Sequence, residues 1–455
     1  MIELNLSVIE KVVKGQLHGN DVMIHNISID SRIITKDCLF IAIEGKRYDG
    51  HDFIPLAIDS GAQAVLTHRP LEIDVPYIVV ENTVIALGLI AQYVKQVVQP
   101  FTVAITGSYG KTSVKEMTAS IFSLLDNTLY TAGNFNNDIG VPLTLLRLNK
   151  THRYCILEFG ANHLGEIDYT TSLVRPDIAM ITHIGHAHLE GFGSLNNVYL
   201  AKSEIFNYIS DQHCVVINLD DDYVDKIMSA VLSKTQNVLT YSCHNCRADL
   251  YVINDEQYAP LYYRFTFCYL KKKYTIRLNV LGRHQINNAL ATIAIALSAS
   301  ISMGNIIKGI ERVGYIAQRM QLFHVNEQLT VIDDTYNATL ESTKAAIDSL
   351  SVLPQMRVFI FGGFAELGEM NKALYQEIEE YAYAMNIDIF AVVHIDDGFI
   401  QLKEYTRSFS SKKLLCVFLN ELYRQYDQLN VLVKGARSKN METVIRYLTQ
   451  SLVEI

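Results

Sequence analysis

The sequence predicts an α/β protein of three domains built on mostly parallel sheets. Three observations lead there. At 455 residues the chain is longer than one ordinary core fills. Short, near-continuous apolar runs alternate with segments of helical spacing, the pattern of parallel strands covered on both faces. The stretch AITGSYGKTSVKEM, residues 104–117, reads as strand, glycine-rich turn and helix in direct succession.

The first domain is expected over 1–97. It opens with an amphipathic helix in MIELNLSVIEKVVKG, followed by short strands and helices in CLFIAI, DFIPLAIDSGAQAVLT and YIVVEN. The second, 98–317, begins where VKQVVQPFTVAITG passes through a proline into a strand. Its buried-strand candidates are TVAIT, YCILEFG, DIAMITHIG and CVVINLD, with a helix in KTSVKEMTASIFSLL. Residues 248–281 alternate and are rich in Tyr and Phe, so they predict an antiparallel edge, and the helix of NNALATIAIALSAS closes the domain. The third, 318–455, is predicted as a smaller, Rossmann-like doubly wound unit with strands LTVIDD, RVFIFGG, DIFAVVH, KLLCVFL and NVLVKG.

Composition excludes several classes. Hydrophobic residues at 49% and charged residues at 19% are globular values. A net charge of -9 argues against a bulk nucleic-acid binder, and the longest basic run, KKK at 271–273, reads as a solvated hairpin turn. The N-terminus lacks a basic region followed by an apolar one, so no signal peptide is expected. The greasiest stretch, 288–304, is small-residue-rich and broken by Ser and Thr, which suits a buried helix and not a membrane insertion. Seven cysteines without framework spacing suggest reduced thiols in a cytoplasm, and a monomer is the expected state. Cys243 and Cys246 form a C-x-x-C with no second pair or histidines at zinc spacing, so they read as an incidental loop pair.

The glycine turn carries the clearest chemistry. The full phosphate-loop pattern is G-x-x-x-x-G-K-[ST]; Gly110, Lys111 and Thr112 supply its second half, while Ile105 stands at the first glycine and Gly107 follows two residues later. Such a turn aims backbone N–H groups and a helix N-terminus at an anion. Thr106, Gly107, Ser108, Tyr109, Gly110, Lys111, Thr112 and Ser113 are therefore expected to cradle ATP, with Lys111 on the outer phosphates and the Thr112 hydroxyl on Mg²⁺. The bland alternative is an ordinary strand-to-helix turn with a lysine at the helix start. Glu158 ends the strand of YCILEFG, at the edge where a parallel sheet binds ligands; helix capping is its alternative role.

TAGNFNNDIGVPLTLL (131–146), LEFGANHLGEI (157–167) and HIGHAHLEGFGS…AKSEIF (183–206) follow the turn in order. Together they resemble the central domain of the Mur ligases, the ATP-dependent amide ligases of peptidoglycan assembly. SIDSR…LFIAIEGKRYDGHDFI (28–54) is similar to the family's UDP-sugar-binding domain. IDDTYNATLESTKAAI (332–347), ELGE (366–369) and VKGARSKNME (434–442) resemble the member that joins D-alanyl-D-alanine to a UDP-N-acetylmuramoyl-tripeptide. In such a reaction a carboxylate is first phosphorylated, because oxide is not a viable leaving group, and the amine then displaces phosphate.

The resemblance implies roles residue by residue. Glu158 would hold Mg²⁺ with Thr112, His188 would ligate a second metal, and Lys202 would carry a carbamate. Asn134, Asn136 and Asn137 would lie beside the phosphates and the acyl group of the UDP-substrate. Asn288 would contact adenine with His284 nearby, while Arg319 and Asp334 would serve the γ-phosphate and the ribose or a metal-bound water. Ser31, Arg32, Lys46, Asp49, Gly50 and His51 would form the uridine-diphosphate pocket, and Lys434, Arg437 and Ser438 would face the acyl or dipeptide site. Four places depart from the family pattern: His183 where Asn is usual, DTYNATLES without Asn-Pro, Gln318 where glycine is common, and the approach to ELGE. The readings left open are another Mur-type or folylpolyglutamate-type ligase with a different amine, and a non-catalytic P-loop protein.

Overall fold

In the computed structural model, which describes residues 1–186, 189–258, 262–365, 371–393 and 406–452, three larger sheets follow one another along the chain. The first has five strands in the order Gln16–His18, Tyr77–Val79, Ala62–Thr67, Cys38–Ile41, Asn26–Ser28. Strand Cys38–Ile41 is wholly buried, which is why CLFI reads as a continuous apolar run. The expected amphipathic helix is Leu6–Val13, burying Leu6, Ile9 and Val13.

Helix Thr83–Val98 starts at Asn82, whose side chain accepts the N–H groups of Val84 and Ile85 at 2.9 and 3.0 Å. It packs on Leu6–Val13 on one side and on helices Gly140–Leu145 and Glu166–Val174 on another. A Cβ at Gly88 would lie 2.1 Å from the Tyr169 hydroxyl, so only glycine permits this approach. One apolar core runs through the contact, from Ile2 to Val231.

The middle sheet has nine strands. Phe101–Thr106 sits between Tyr154–Glu158 and Ile178–Ile181, all parallel, with Thr128–Tyr130 at one edge and Cys214–Asn218 and Val238–Ser242 continuing the other way. The predicted antiparallel edge is Leu250–Tyr258, Tyr262–Tyr269 and Lys272–Leu278. Leu270 and Lys271 turn that hairpin at φ 48° and 63°, which places the lysine run at its tip. From Phe101–Thr106 the chain crosses to one edge, and from its neighbour Tyr154–Glu158 it crosses to the other side. Connections leaving in opposite directions open a crevice at the carboxyl ends of these two strands. Helix His284–Ser298 is buried almost all round and packs on the helix after the glycine turn, Lys111–Phe122. Among the described residues no helix is long and apolar enough to cross a membrane.

The third sheet runs Gln321–His324, Leu329–Asp334, Leu429–Lys434, Met356–Phe361, Ile389–Val393, Thr406–Phe409, parallel except for the first. One expectation fails here. KLLCVFL is not a strand but part of helix Lys412–Gln425, capped by Ser411, and the edge strand is TRSF instead. Leu415, Leu419 and Leu422 face the core at helical spacing, while Leu414 and Val417 are exposed, so a contiguous apolar run hid a 3.6-residue period. The third unit has two apolar clusters, one of which takes in Leu281 of the middle unit, and the chain joins the two units through 316–320, where Gln318 and Met320 take φ of 60° and 50°. The seven cysteines are free thiols.

Candidate active site

The strand, turn and helix at 101–122 form as expected, with Gly110 as the left-handed residue before Lys111. Gly107 sits at φ +145°, and a Cβ there would lie 2.0 Å from Thr182 Oγ1 and 3.0 Å from the His183 nitrogen. A Cβ on Gly110 would lie 2.7 Å from Asn288 Oδ1. Both glycines thus keep the loop pressed against the neighbouring strand end and the helix His284–Ser298. Ser108 is tied to the same strand end, donating from Oγ to the Gly185 carbonyl at 3.0 Å and accepting the Gly185 N–H at 2.9 Å. Thr106 donates to the Phe159 carbonyl at 2.8 Å.

Lys111 Nζ folds back onto its own loop, donating to the Gly107 carbonyl at 2.6 Å. Burial lowers its pKa below the ordinary lysine value; Glu158 opposes the shift and Arg319 adds to it. Thr112 donates to Glu158 Oε2 at 2.9 Å, and Asn136 Nδ2 donates to Glu158 Oε1 at 2.8 Å. From the third unit, Arg319 reaches across and donates to Thr112 Oγ1 at 3.0 Å, its guanidinium 4.0 Å above the Tyr336 ring. Lys202 is 1% exposed, and its Nζ lies 5.7 Å from the Phe192 ring. Burial first, and the nearby Lys111 second, bring its pKa down to about 7. His188 and the ELGE stretch, 366–369, lie outside the described residues. Among the described residues no cluster of three His, Cys, Asp or Glu side chains is arranged to hold a metal.

A cavity of about 390 Å³ opens between the middle and third units, lined by Tyr109, Ser113, Asn288, Arg319, Asp334 and Lys434 among others. Asn288 donates to Gln285 Oε1 at 2.9 Å. His284, on the same wall, is pushed down to about 4 by burial and is therefore neutral at pH 7. Asp334 accepts from Lys434 Nζ at 2.5 Å and from the Met320 N–H at 3.2 Å, and Lys434 also donates to the Asn337 carbonyl at 3.0 Å. His183 lies against Tyr109, ring centroids 4.5 Å apart, with Nδ1 3.0 Å from Asp221.

Several cavity-lining residues were not singled out from the sequence. Glu341, at the start of helix Leu340–Ser351, accepts the ring Nδ1 of His186 at 2.9 Å and so links the two units; a motif departure just before it was the available signal. Cys243, one of the pair read as incidental, lines the same cavity, as do His244 and Asn287.

Other residues have settled partners. Asn137 accepts the Gly140 N–H at 2.8 Å and so holds the entry to a helix, while Asn134 is exposed. In the first unit Arg32 is 83% exposed and bound to Asp30 through Nε at 2.9 Å and NH2 at 2.6 Å. Ser31 is buried beside it and Lys46 is exposed. His51 is turned inward, with Nδ1 2.6 Å from Asp49 and Nε2 3.0 Å from Thr67, so both ring nitrogens shape the loop. Gly50 is required there, because a Cβ would lie 2.6 Å from the Ile43 nitrogen. Arg437 and Ser438 are exposed, and Arg437 donates to Gln318 Oε1 at 3.0 Å.

Comparison with known proteins matches three family models in chain order: the Mur ligase family, catalytic domain over 23–101, the Mur ligase middle domain over 105–296, and the Mur ligase, glutamate ligase domain over 318–437. The chain is similar to the UDP-N-acetylmuramoyl-tripeptide–D-alanyl-D-alanine ligase of Escherichia coli, 38% identical over 452 residues and covering 99% of each chain. It is 30% identical to the protein of that name from Bacillus subtilis, covering 99% of each. Among solved structures, a MurF from Acinetobacter baumannii superposes with a TM-score of 0.92 at 30% identity, covering 99% of each chain.

Proposed function

The chain belongs to the Mur ligase family, and from that premise we propose that it joins D-alanyl-D-alanine to UDP-N-acetylmuramoyl-tripeptide at the expense of ATP. The observation that carries the chemistry is the meeting of Lys111, Thr112, Glu158, Asn136 and Arg319 at one crevice, with residues of two units around it. The domain division 1–97, 98–317 and 318–455 is part of the same reading: UDP-sugar in the first, ATP in the second, dipeptide in the third.

The donor set fits Mg²⁺: a threonine hydroxyl and a carboxylate already share a hydrogen bond at 2.9 Å at the start of the helix that follows the glycine turn. Thr112 and Glu158 would hold one ion and His188 would ligate a second, with carbamylated Lys202 as a further ligand, and the chemistry the ions supply is to neutralise the transferring phosphoryl group. The loop N–H groups and the helix N-terminus receive the phosphates. Lys111 leaves the Gly107 carbonyl for the outer phosphate, and Arg319 brings a second positive charge from the third unit. The tripeptide carboxylate takes the γ-phosphoryl, its C–O–P bond forming as the bond to ADP breaks. The dipeptide amine then attacks the acyl carbon, phosphate leaves and the amine loses a proton. Cover by the third unit keeps water from the acyl phosphate.

A low Lys202 pKa supports the carbamate. At about 7, half the amine is neutral at neutral pH, and a neutral amine adds CO₂ with release of a proton. The resulting negative charge removes the repulsion from Lys111. The deciding experiment measures phosphate release from ATP. It should require the UDP-tripeptide and the dipeptide together, and Lys111→Ala should abolish it in folded protein. Release without either substrate, or undiminished coupling in K111A, would overturn the proposal.

A further inference from the structure

Lys115 lies one turn beyond Lys111 on the same helix, yet it lines no part of the nucleotide cavity. Its side chain is 1% exposed. Nζ pairs with Glu116 Oε1 at 2.5 Å and donates to the Thr131 carbonyl at 2.8 Å, with the Tyr130 ring 5.6 Å away. A long polar side chain is seldom fully buried without a specific task.

That task is visible in the strand ladder. Thr128–Tyr130 pairs in parallel with Tyr154–Glu158, and the Thr131 N–H donates to the Ile156 carbonyl at 3.1 Å. Continued regularly, the ladder would next send the Glu158 N–H to the Thr131 carbonyl. It does not. The Glu158 N–H goes to Thr131 Oγ1 at 3.0 Å, and the carbonyl thus freed points at Lys115. The strands part at this point. The chain from 132 onward turns back over the crevice, where Asn136 donates to Glu158 Oε1 and its carbonyl accepts the Gly160 N–H, both at 2.8 Å. Gly160 lets the amide lie this close, since a Cβ there would be 2.9 Å from Asn136 Oδ1.

We propose that Lys115 is a positioning residue for the phosphate and metal site: by holding the Thr131 carbonyl out of the ladder, it sets the backbone of Glu158 and seats Asn136 on its carboxylate. The inference rests on the reading of Glu158 as a metal ligand. Groups that orient a ligand from behind are worth about ten- to a hundredfold in metal affinity.

The test uses the full chain with Mn²⁺ as the probe, titrated by electron paramagnetic resonance in the presence of a non-hydrolysable ATP analogue, alongside binding of the analogue in EDTA. Lys115→Met should weaken Mn²⁺ binding by about tenfold or more and leave metal-free nucleotide binding unchanged, with K115R recovering part of the loss. Thr131→Val should reproduce the weakening and T131S should not, which keeps the test available if K115M fails to fold. Wild-type Mn²⁺ affinity in folded K115M or in T131V overturns the inference, as does a parallel loss of metal-free nucleotide binding. No Mn²⁺ binding by the wild-type chain would instead overturn the reading of Glu158.

Discussion

Gly107→Ala tests the phosphate turn at its tightest point. The added Cβ would sit 2.0 Å from Thr182 Oγ1, and Thr182 cannot easily rotate away, because that hydroxyl donates to the Tyr109 carbonyl at 2.5 Å. The second neighbour, the His183 nitrogen at 3.0 Å, is backbone. Reaching ordinary van der Waals contact therefore moves the turn outward by about 1–1.5 Å, and a φ of +145° adds roughly 1–3 kcal/mol of strain for a residue with a Cβ. A misplacement of about 1 Å in a reacting group costs about 10²-fold in rate. G107A should thus lose about 2–4 kcal/mol of stability and about 10²-fold in kcat/KM for ATP. The internal control is Gly133→Ala. Gly133 has φ +53° but nothing within 4 Å of an added Cβ, so G133A should cost about 1–2 kcal/mol of stability with ATP use unchanged. Urea unfolding and a coupled ADP-release assay read both quantities. Wild-type kcat and KM for ATP in G107A would refute the placement of the nucleotide at this turn.

Lys202 gives a pH prediction. Its folded pKa of about 7 lies below the ordinary 10.5, so between those values the unfolded chain binds more protons than the folded one. In CO₂-free buffer, stability should therefore rise with pH across that window, and the full cost of burying the charge should appear below about pH 7. Added bicarbonate should restore coupling activity, with the restoration growing as pH passes through 7; ¹³C-carbamate signals absent from an active chain would contradict this. Ser411→Ala removes the cap of helix Lys412–Gln425, where Ser411 Oγ accepts the Leu414 N–H at 3.3 Å, and should cost about 1 kcal/mol in thermal unfolding without altering ATP use.

Local patterns were legible in the chain wherever the physics is local. A left-handed glycine before a lysine, directly after a buried strand, has few alternatives, and residues 101–122 form as read. The antiparallel edge was equally plain, because period-2 alternation is distinctive. KLLCVFL failed because six apolar residues in a row carry no period of their own, and only the tertiary environment of Leu415, Leu419 and Leu422 selects the helix. Contacts distant in sequence were invisible: Glu341 and His186 meet across 155 residues, and neither position has a motif that names the other. Lys115 looked like an unremarked helix lysine, since nothing local to it signals that Thr131 leaves its ladder.

Helix Thr83–Val98 has a mechanical consequence. It is cemented into apolar packing on both sides, with Gln92 Nε2 also donating to the Ser172 carbonyl at 3.0 Å. Sliding the first unit over the second would tear open a shared hydrophobic interior. The third unit is held differently, by polar bridges at its face, by Leu281 alone in its apolar cluster among the middle unit's described residues, and by a short link whose Gln318 and Met320 already sit in left-handed geometry. Polar bridges re-form in water at little cost, whereas a split core does not. Moving the third unit against the middle one would therefore disturb far less packed apolar surface than moving the first, and the left-handed link at 316–320 is where such a displacement would be taken up.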